Sequence, residues 1–222
     1  MNSRIQGINQ ENIKQSNRSA ILKLIRSSGA ISRKDIAQRI GLTPAAVSLI
    51  CNELISEEIL MEKGEAAQEK KAGRKKINVD INYSYKKVLC VCIEIDETYI
   101  TITDMLGNVC AKKVVPTNQE QNPESFLKEI ATESKELLWE AGIAKDGVLA
   151  AGVSVPGIVD DEKGISVRSY RIWNRPVDIK RVMEENLGFE VVVENNVKAF
   201  ADGELIYGIG RTSNNLMFVK WG

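Results

Sequence analysis

The sequence of 222 residues is 43% hydrophobic and 27% charged, and its 30 Lys and Arg balance its 30 Asp and Glu. These values are typical of a globular chain with one or two domains. No stretch approaches the roughly 18 apolar residues of a membrane span, and the N-terminus lacks the apolar core of a signal peptide. The absence of histidine excludes a His-based catalytic triad. We therefore expect a cytoplasmic protein with no membrane partner.

The charge is distributed unevenly along the chain. Residues 1–82 contain 14 Lys and Arg against 9 Asp and Glu, a net charge of +5, whereas residues 83–222 contain 16 against 21, a net charge of −5. A basic module joined to an acidic one suits a nucleic-acid-binding head on a separate body. We place the domain boundary between residues 82 and 83.

The polar composition of residues 1–15 is typical of a loose arm, and Asn17 is the predicted N-cap of a first helix. A helix-turn-helix is then predicted in ISRKDIAQRIGLTPAAVSLICNEL, which begins at residue 31. Ser32 opens its first helix with a near capping box, and Gly41 provides a left-handed C-cap. Thr43 and Pro44 supply the N-cap and first-turn proline of the second helix. This short separation of two helices is what a helix-turn-helix requires.

The second helix has two different faces. Its predicted buried stripe follows the i, i+3, i+4, i+7 spacing and consists of Val47, Ile50, Cys51 and Leu54. The opposite face is small and uncharged, so it can enter a major groove and meet base edges or thymine methyl groups. The residues of this motif that we predict to bind DNA are Arg33, Thr43, Ala45, Ala46, Ser48, Leu49 and Asn52. A helical hairpin that only packs would show the same spacing, and it remains the alternative.

Two short strands are predicted at residues 59–63 and 77–81 as an antiparallel pair. Their connection, GEAAQEKKAGRKK, is rich in Lys and Arg. A basic hairpin tip beside a recognition helix is typical of a wing that contacts phosphates or a minor groove. Arg74, Lys75 and Lys76 are the wing residues predicted to bind DNA, and a solvated run of charges is the alternative.

Residues 83–222 predict an α/β body with a mixed sheet, because a strand meander precedes alternating helices and strands. Strands are predicted at 88–95, 99–104, 109–115, within LAAGVSVPGIVD, at 190–194 and at 215–221, and helices at 123–141, 179–187 and 199–207. Cys51, Cys90, Cys92 and Cys110 lack the spacing of a zinc site or a disulfide scaffold. Cys90 and Cys92 share a predicted strand face, so a metal is conceivable there, but buried apolar packing is the preferred interpretation.

Several motifs together resemble the ROK family of repressors and sugar kinases, in particular its xylose and N-acetylglucosamine repressors. They are the GRKK end of the wing, CIEIDETYITITDMLGNV, AGVSVPGIVDDEKG, the Trp173–Asn174 region and VVVENNVKAFADGELIYG. The resemblance covers almost the whole chain. It implies an α+β winged helix-turn-helix head at 1–82 and, at 83–222, the N-terminal part of an actin-like, ribonuclease H-like α/β ROK domain that binds a sugar.

The chain departs from the kinases of that family at two motifs. Where those kinases have Asp-Ile-Gly-Gly-Thr-Lys in the first hairpin, this chain has EIDETY from Glu94, so that Asp96 and Glu97 would repel a triphosphate. Where the kinases have Glu-Asn-Asp-Ala-Asn, with the Asp as general base, this chain has ENNVK from Glu194. An amide can hydrogen-bond a sugar hydroxyl but cannot accept its proton. The resemblance thus implies no catalytic residue, with Asn195 and Asn196 as candidate sugar ligands; plain turn residues are the alternative.

The ROK body is a duplicated fold, whereas residues 83–222 have the size of one domain. The resemblance therefore implies that the chain ends one strand into an incomplete second lobe. The family's zinc motif would lie beyond Gly222, so we expect no metal or other cofactor. We also expect this chain to bind sugars weakly or not at all, whereas a full-length form would be a homodimer with a sugar or sugar-phosphate effector.

Taken together, these features predict a DNA-binding transcriptional regulator whose partner is a double-stranded operator. We expect it to be a sugar-responsive repressor of carbohydrate genes, for example those of xylose utilisation, without kinase activity. One alternative is an ATP-dependent sugar kinase with an added DNA-binding head, which the acidic residues of the first hairpin disfavour. Another is a shortened protein that binds DNA without responding to a ligand.

Overall fold

A computed structural model describes residues 10–64, 77–208, 210 and 215–220. The chain forms two compact units, Met1–Tyr85 and Lys86–Gly222, each with its own hydrophobic core. The predicted domain boundary, after residue 82, lies within three residues of this division.

The first unit contains three helices and a small antiparallel sheet. The elements are α1 (Gln10–Ser28), β1 (Ile31–Ser32), α2 (Arg33–Ile40), α3 (Pro44–Ser56), β2 (Leu60–Lys63) and β3 (Asn78–Ile81). The central strand β3 pairs with β2 on one side and with the two-residue β1 on the other. The sequence predicted the β2–β3 pair, whereas β1 is too short to leave a periodic signal.

The caps of the helix-turn-helix follow the predicted chemistry. The Ser32 Oγ accepts the Asp35 N–H at 3.2 Å, and the Thr43 Oγ1 accepts the Ala46 N–H at 3.2 Å. Gly41 has φ 76° and donates its N–H to the carbonyl of Ala37, which ends α2 in the left-handed conformation that glycine favours.

Helix α1 begins earlier than predicted. Residues 10–15 are helical rather than part of a loose arm, and Asn17 lies inside α1 instead of capping it. Lys14, within this extension, pairs with Glu53 at 2.8 Å, and Arg18, one turn further along α1, pairs with Glu57. Since residues four apart share a helix face, both cations reach α3 from one side of α1.

The second unit is built on a five-stranded mixed sheet with the order β11-β7-β4-β5-β6. Its elements are β4 (Lys87–Ile93), β5 (Glu97–Thr103), β6 (Val109–Pro116), α4 (Pro123–Glu140), a 3-10 turn (Lys145–Gly147), β7 (Val148–Val155), β8 (Ile158–Asp160), β9 (Ile165–Arg168), β10 (Val177–Asp178), α5 (Ile179–Leu187), β11 (Val191–Asn195) and α6 (Asn196–Ile206). Strands β4, β7 and β11 are parallel, whereas β5 and β6 form the antiparallel meander. This is the predicted mixed α/β sheet.

The core of this unit lies between the sheet and the helices α4 and α5. The side chains that alternate inward from the strands, such as Leu89, Ile100 and Val153, pack with apolar residues of both helices. All five residues predicted for the apolar side of α4 are buried, namely Phe126, Leu127, Ile130, Leu137 and Leu138. Strands β8, β9 and β10 form a separate three-stranded sheet, of which β9 and β10 were not predicted.

Two predicted elements of the second unit differ from the structure. Helix α6 begins at Asn196 rather than at residue 199, because the Asn195 side chain caps it. Residues 215–220 have no strand pairing, although an apolar strand was predicted at 215–221. Apolar composition alone does not make a strand, since a strand also needs a hydrogen-bonding partner. No helix within the described ranges is long and apolar enough to cross a membrane.

Candidate nucleic-acid interface and ligand cleft

The outward face of α3 carries most of the residues predicted to bind DNA. Its inward stripe of Val47, Ile50, Cys51 and Leu54 is buried against the core of the first unit, as predicted. On the opposite face Ala45 and Asn52 are exposed, Ser48 is half-buried, and Leu49 is 62% exposed. This exposed face of small, uncharged side chains is the one predicted to enter a major groove.

Ion pairs with α1 also hold helix α3 in place. The Arg18 guanidinium binds the carboxylates of both Glu53 and Glu57. The hydrogen bond from Arg18 holds the pKa of Glu57 below its ordinary value. These ion pairs place the carboxylates of Glu53 in α3 and of its C-cap Glu57 against the cations of α1.

Arg33 lies at the start of α2 and connects α3 to the strand β2. Its Nη2 donates to Asn52 Oδ1 at 3.1 Å and to Glu62 Oε1 at 2.8 Å. The structure thus brings together two residues that were predicted to bind DNA, Arg33 and Asn52. Glu62 was not predicted, because nothing in the local pattern links it to residues 10 and 29 positions away.

The wing is described only in part. Strands β2 and β3 form its stem, where Lys63 Nζ pairs with Asp80 Oδ2 at 2.7 Å. The predicted DNA contacts Arg74, Lys75 and Lys76 lie outside the described residues, so their assignment stays a prediction.

A cleft in the second unit opens where β4, β7 and β11 end. Parallel strands bring their carboxyl ends to one edge of a sheet, which is where α/β proteins commonly bind ligands. The cleft encloses about 720 Å³ and is lined by residues from the β4–β5 turn, from the Pro156–Gly157 turn and from the start of α6. Tyr170 also lines it.

The structure gives Asn195 and Asn196 different roles. Asn195 Oδ1 accepts the N–H groups of Val197 and Lys198, and its Nδ2 donates to the Gly157 carbonyl at 2.7 Å. Its amide is therefore used in capping α6 and fixing the Gly157 turn. Both asparagines line the cleft, but Asn196 is 8% exposed and its Nδ2 donates to Glu94 Oε1 at 2.9 Å instead of capping a helix.

Acidic side chains dominate the β4–β5 turn. Glu94, Asp96 and Glu97 all line the cleft, and the Glu97 carboxylate accepts a hydrogen bond from the Tyr99 hydroxyl at 2.8 Å. Burial disfavours the charge of Glu94, but the Lys220 ammonium at 2.6 Å and the Asn196 amide outweigh it and lower the pKa of Glu94. Lys220 was not predicted to contribute here, because the sequence placed it in a strand.

The half-buried Cys90 and Cys92 lie in β4, on the sheet face away from α4 and α5. Burial raises the pKa of both thiols. A half-buried, uncharged thiol packs in the manner of a small apolar side chain.

Comparison with known proteins identifies the fold. Residues 89–222 match the ROK family, and residues 15–61 match the winged helix-turn-helix DNA-binding family. The chain belongs to the ROK family. As the sequence predicted, the first unit is a winged helix-turn-helix, and the second unit is the ROK sheet domain.

Proteins with similar sequences include several repressors. The chain is 26% identical to a xylose repressor of Bacillus subtilis over 94% of this chain and 53% of the relative. It is 22% identical to the DNA-binding transcriptional repressor Mlc of Escherichia coli over 94% of this chain and 51% of the relative. The chain thus spans about half the length of the curated relatives it matches.

Two solved ROK structures resemble the chain to different extents. A ROK family transcriptional regulator, described as a homologue of the E. coli Mlc protein, is 25% identical and superposes with a TM-score of 0.75 over 88% of this chain and 49% of its own. A ROK family glucokinase from Streptomyces griseus, solved with glucose and AMPPNP, is also 25% identical, with a TM-score of 0.51 over 57% of this chain and 38% of its own.

Proposed function

We propose that this chain is the DNA-binding and lobe-one part of a transcriptional repressor that controls carbohydrate-utilisation genes, such as those for xylose. The observation that carries the proposal is the outward face of α3, which presents Ala45, Ser48, Leu49 and Asn52 on a doubly capped helix-turn-helix. The sequence similarity to proteins named xylose repressor and transcriptional repressor Mlc supports it. Such a regulator would act on double-stranded operator DNA in the cytoplasm, as a homodimer.

Selection from a random duplex library tests this proposal. We expect the 222-residue chain to enrich a consensus, and Ser48→Ala to change that consensus at one position. Ser125→Ala removes the same hydroxyl from an exposed position of α4 in the other unit and is the matched control. Failure of the parent chain to enrich any sequence above the starting pool at low salt would overturn the proposal.

We infer further that the ROK unit serves recognition and not phosphoryl transfer. The acidic Asp96 and Glu97 that line the cleft disfavour a triphosphate, since like charges a few ångströms apart repel. Asn196 supports the same inference because an amide cannot act as a general base. Recognition of this kind requires no metal or other cofactor.

The effector of this proposed repressor is a sugar or a sugar phosphate. Asn196 is the residue that best fits a hydroxyl of such a ligand, because it lines the cleft and its amide, unlike that of Asn195, is not used in capping α6. In a full-length form, we expect the effector to release DNA and Asn196→Ala to blunt that release. A full-length form indifferent to a broad panel of pentoses, hexoses and their phosphates would overturn the effector assignment and leave the DNA-binding proposal intact.

A further inference from the structure

The bridge between Arg33, Asn52 and Glu62 fixes the orientation of one side-chain amide on the DNA-reading helix. A guanidinium carries only hydrogen-bond donors, so the Asn52 atom that faces Arg33 Nη2 at 3.1 Å is the carbonyl oxygen. The opposite orientation of the amide would place an N–H donor against the guanidinium, so the Asn52 orientation follows from this contact. The amide nitrogen of Asn52 remains available as a donor on the exposed face of α3.

Arg33 is held in this place by more than one interaction. The Glu62 carboxylate accepts from the same Nη2 at 2.8 Å, and the Arg33 side chain is only 21% exposed. Arg33 Nε is buried and has no hydrogen-bond partner among the described residues. A half-buried guanidinium that is anchored to a carboxylate loses less freedom in holding Asn52 than a solvated lysine would.

This arrangement limits which base Asn52 can read. Recognition of adenine by asparagine uses both amide groups, with the oxygen accepting from N6–H and the nitrogen donating to N7. One lone pair of the Asn52 oxygen accepts from Arg33, and the adjacent positive guanidinium repels the N6–H donor of adenine from the other. Guanine presents N7 and O6, two acceptors and no donor, along the same edge of the major groove.

We propose that Arg33 sets the base preference of the reading surface. Held by Glu62, it occupies the carbonyl of Asn52, so that this side chain offers only donors to DNA and selects a G·C pair with guanine as the read base, instead of an A·T pair. This proposal rests on the proposed DNA-binding function and deepens it. Arg33 is here a positioning residue, since it acts through Asn52.

The first test locates the base pair that Asn52 reads. Selection from a random duplex library is carried out with the parent chain and with Asn52→Ala, and the position whose preference disappears is the one read by this residue. We expect the parent to prefer G·C there by roughly tenfold, the size of one good base contact. A parent preference for A·T at that position would overturn the proposal even if no other variant could be studied.

The second test removes the positioning residue. Arg33→Ala frees the Asn52 carbonyl, and we expect the preference at the same base pair to change from G·C to A·T. Arg33→Lys keeps an ammonium that can only donate, so it should retain G·C. Arg39→Ala is the matched control, because it removes the same charge from α2, where Arg39 Nη1 contacts Ser28 Oγ at 3.1 Å and not α3. An unchanged G·C preference in Arg33→Ala would overturn the proposal.

The third test releases Arg33 without removing it. Glu62→Ala should weaken the G·C preference at least about threefold while raising affinity for unrelated DNA, because the freed guanidinium can reach a phosphate. Glu57→Ala, which releases Arg18 on the α1 side of α3, controls for the loss of a negative charge. Equal effects of the two variants would overturn the role of Glu62. A parent chain that binds no duplex DNA would instead refute the proposed function itself.

Discussion

The Asn196 amide donates a hydrogen bond to Glu94 Oε1 at 2.9 Å, although the two residues are 102 positions apart. Glu94 follows β4, and Asn196 begins α6 directly after β11. The bond therefore links the carboxyl ends of β4 and β11, two parallel strands that are separated by β7 in the sheet. It also distinguishes Asn196, whose amide binds a side chain, from Asn195, whose amide binds backbone groups, although both line the cleft.

The first prediction separates these two asparagines by their effect on stability. Asn195→Ala removes a cap with two accepted N–H groups and the bond to the Gly157 carbonyl. We expect it to lower the free energy of unfolding of the second unit by about 1–3 kcal/mol, given about 0.5–2 for a cap and about 1 for a further hydrogen bond. Asn195→Asp keeps the acceptor of the cap and should fall between alanine and the parent in urea denaturation. Equal stability of all three chains would contradict the capping role.

The second prediction concerns the ionisation of Glu94. Because its pKa is lowered in the folded chain, the stability contributed by this carboxylate is present above its unfolded pKa and is lost as the pH falls through its folded pKa. Lys220→Met should raise the pKa of Glu94, since burial then acts with less opposition. Carboxyl ¹³C NMR over an acid titration measures it. Lys198→Met, which removes a lysine bound to Asp161 and Glu194 instead, should leave Glu94 unchanged.

The third prediction contrasts the two faces of α3. Leu49 is 62% exposed, so Leu49→Ala should change the free energy of unfolding by no more than about 0.5 kcal/mol while weakening DNA binding. Ile50 is 6% exposed, and Ile50→Ala should lower the free energy of unfolding by about 2–5 kcal/mol. Urea denaturation and fluorescence anisotropy with selected DNA give the two readouts. Loss of stability without loss of binding in Leu49→Ala would place this residue in the core.

The fourth prediction addresses the wing. Replacing Arg74, Lys75 and Lys76 with alanine should weaken binding to all sequences alike and reduce the slope of log affinity against log salt by up to about 3, since each phosphate contact contributes about 0.9. The control replaces the exposed Lys112, Lys128 and Lys135 of the second unit, which removes the same charge. An unchanged slope in the wing variant, measured by anisotropy, would leave the basic run as solvated surface.

The fifth prediction is that the chain does not phosphorylate sugars. Incubation with ATP and common pentoses or hexoses should give no product above background, because the cleft is acidic and Asn196 cannot accept a proton. Asn196→Asp restores a carboxylate at this position and should remain inactive, since Asp96 and Glu97 still oppose a triphosphate. ATP-dependent product formation by the parent that is lost in Asn196→Ala would contradict this prediction.

The sequence by itself determined the helix-turn-helix and most of the sheet elements. Ser32, Gly41 and Thr43 form caps whose partners lie within four residues, so the chemistry of these positions is local and readable. The same holds for the apolar spacing of α4 and for the bounds of α5, because helical periodicity depends only on neighbouring turns. The family motifs extended this to the ROK body.

Tertiary structure alone decided how the polar side chains are used. In ENNVK, Asn195 caps α6 through neighbouring residues, but its bond to the Gly157 carbonyl and the bond from Asn196 to Glu94 depend on segments far away in the sequence. Arg33 likewise meets Asn52 and Glu62 across 19 and 29 positions, and residues 215–220 form no strand despite their apolar composition. A hydrogen bond depends on which groups the fold brings within about 3 Å, and no local pattern encodes that distance.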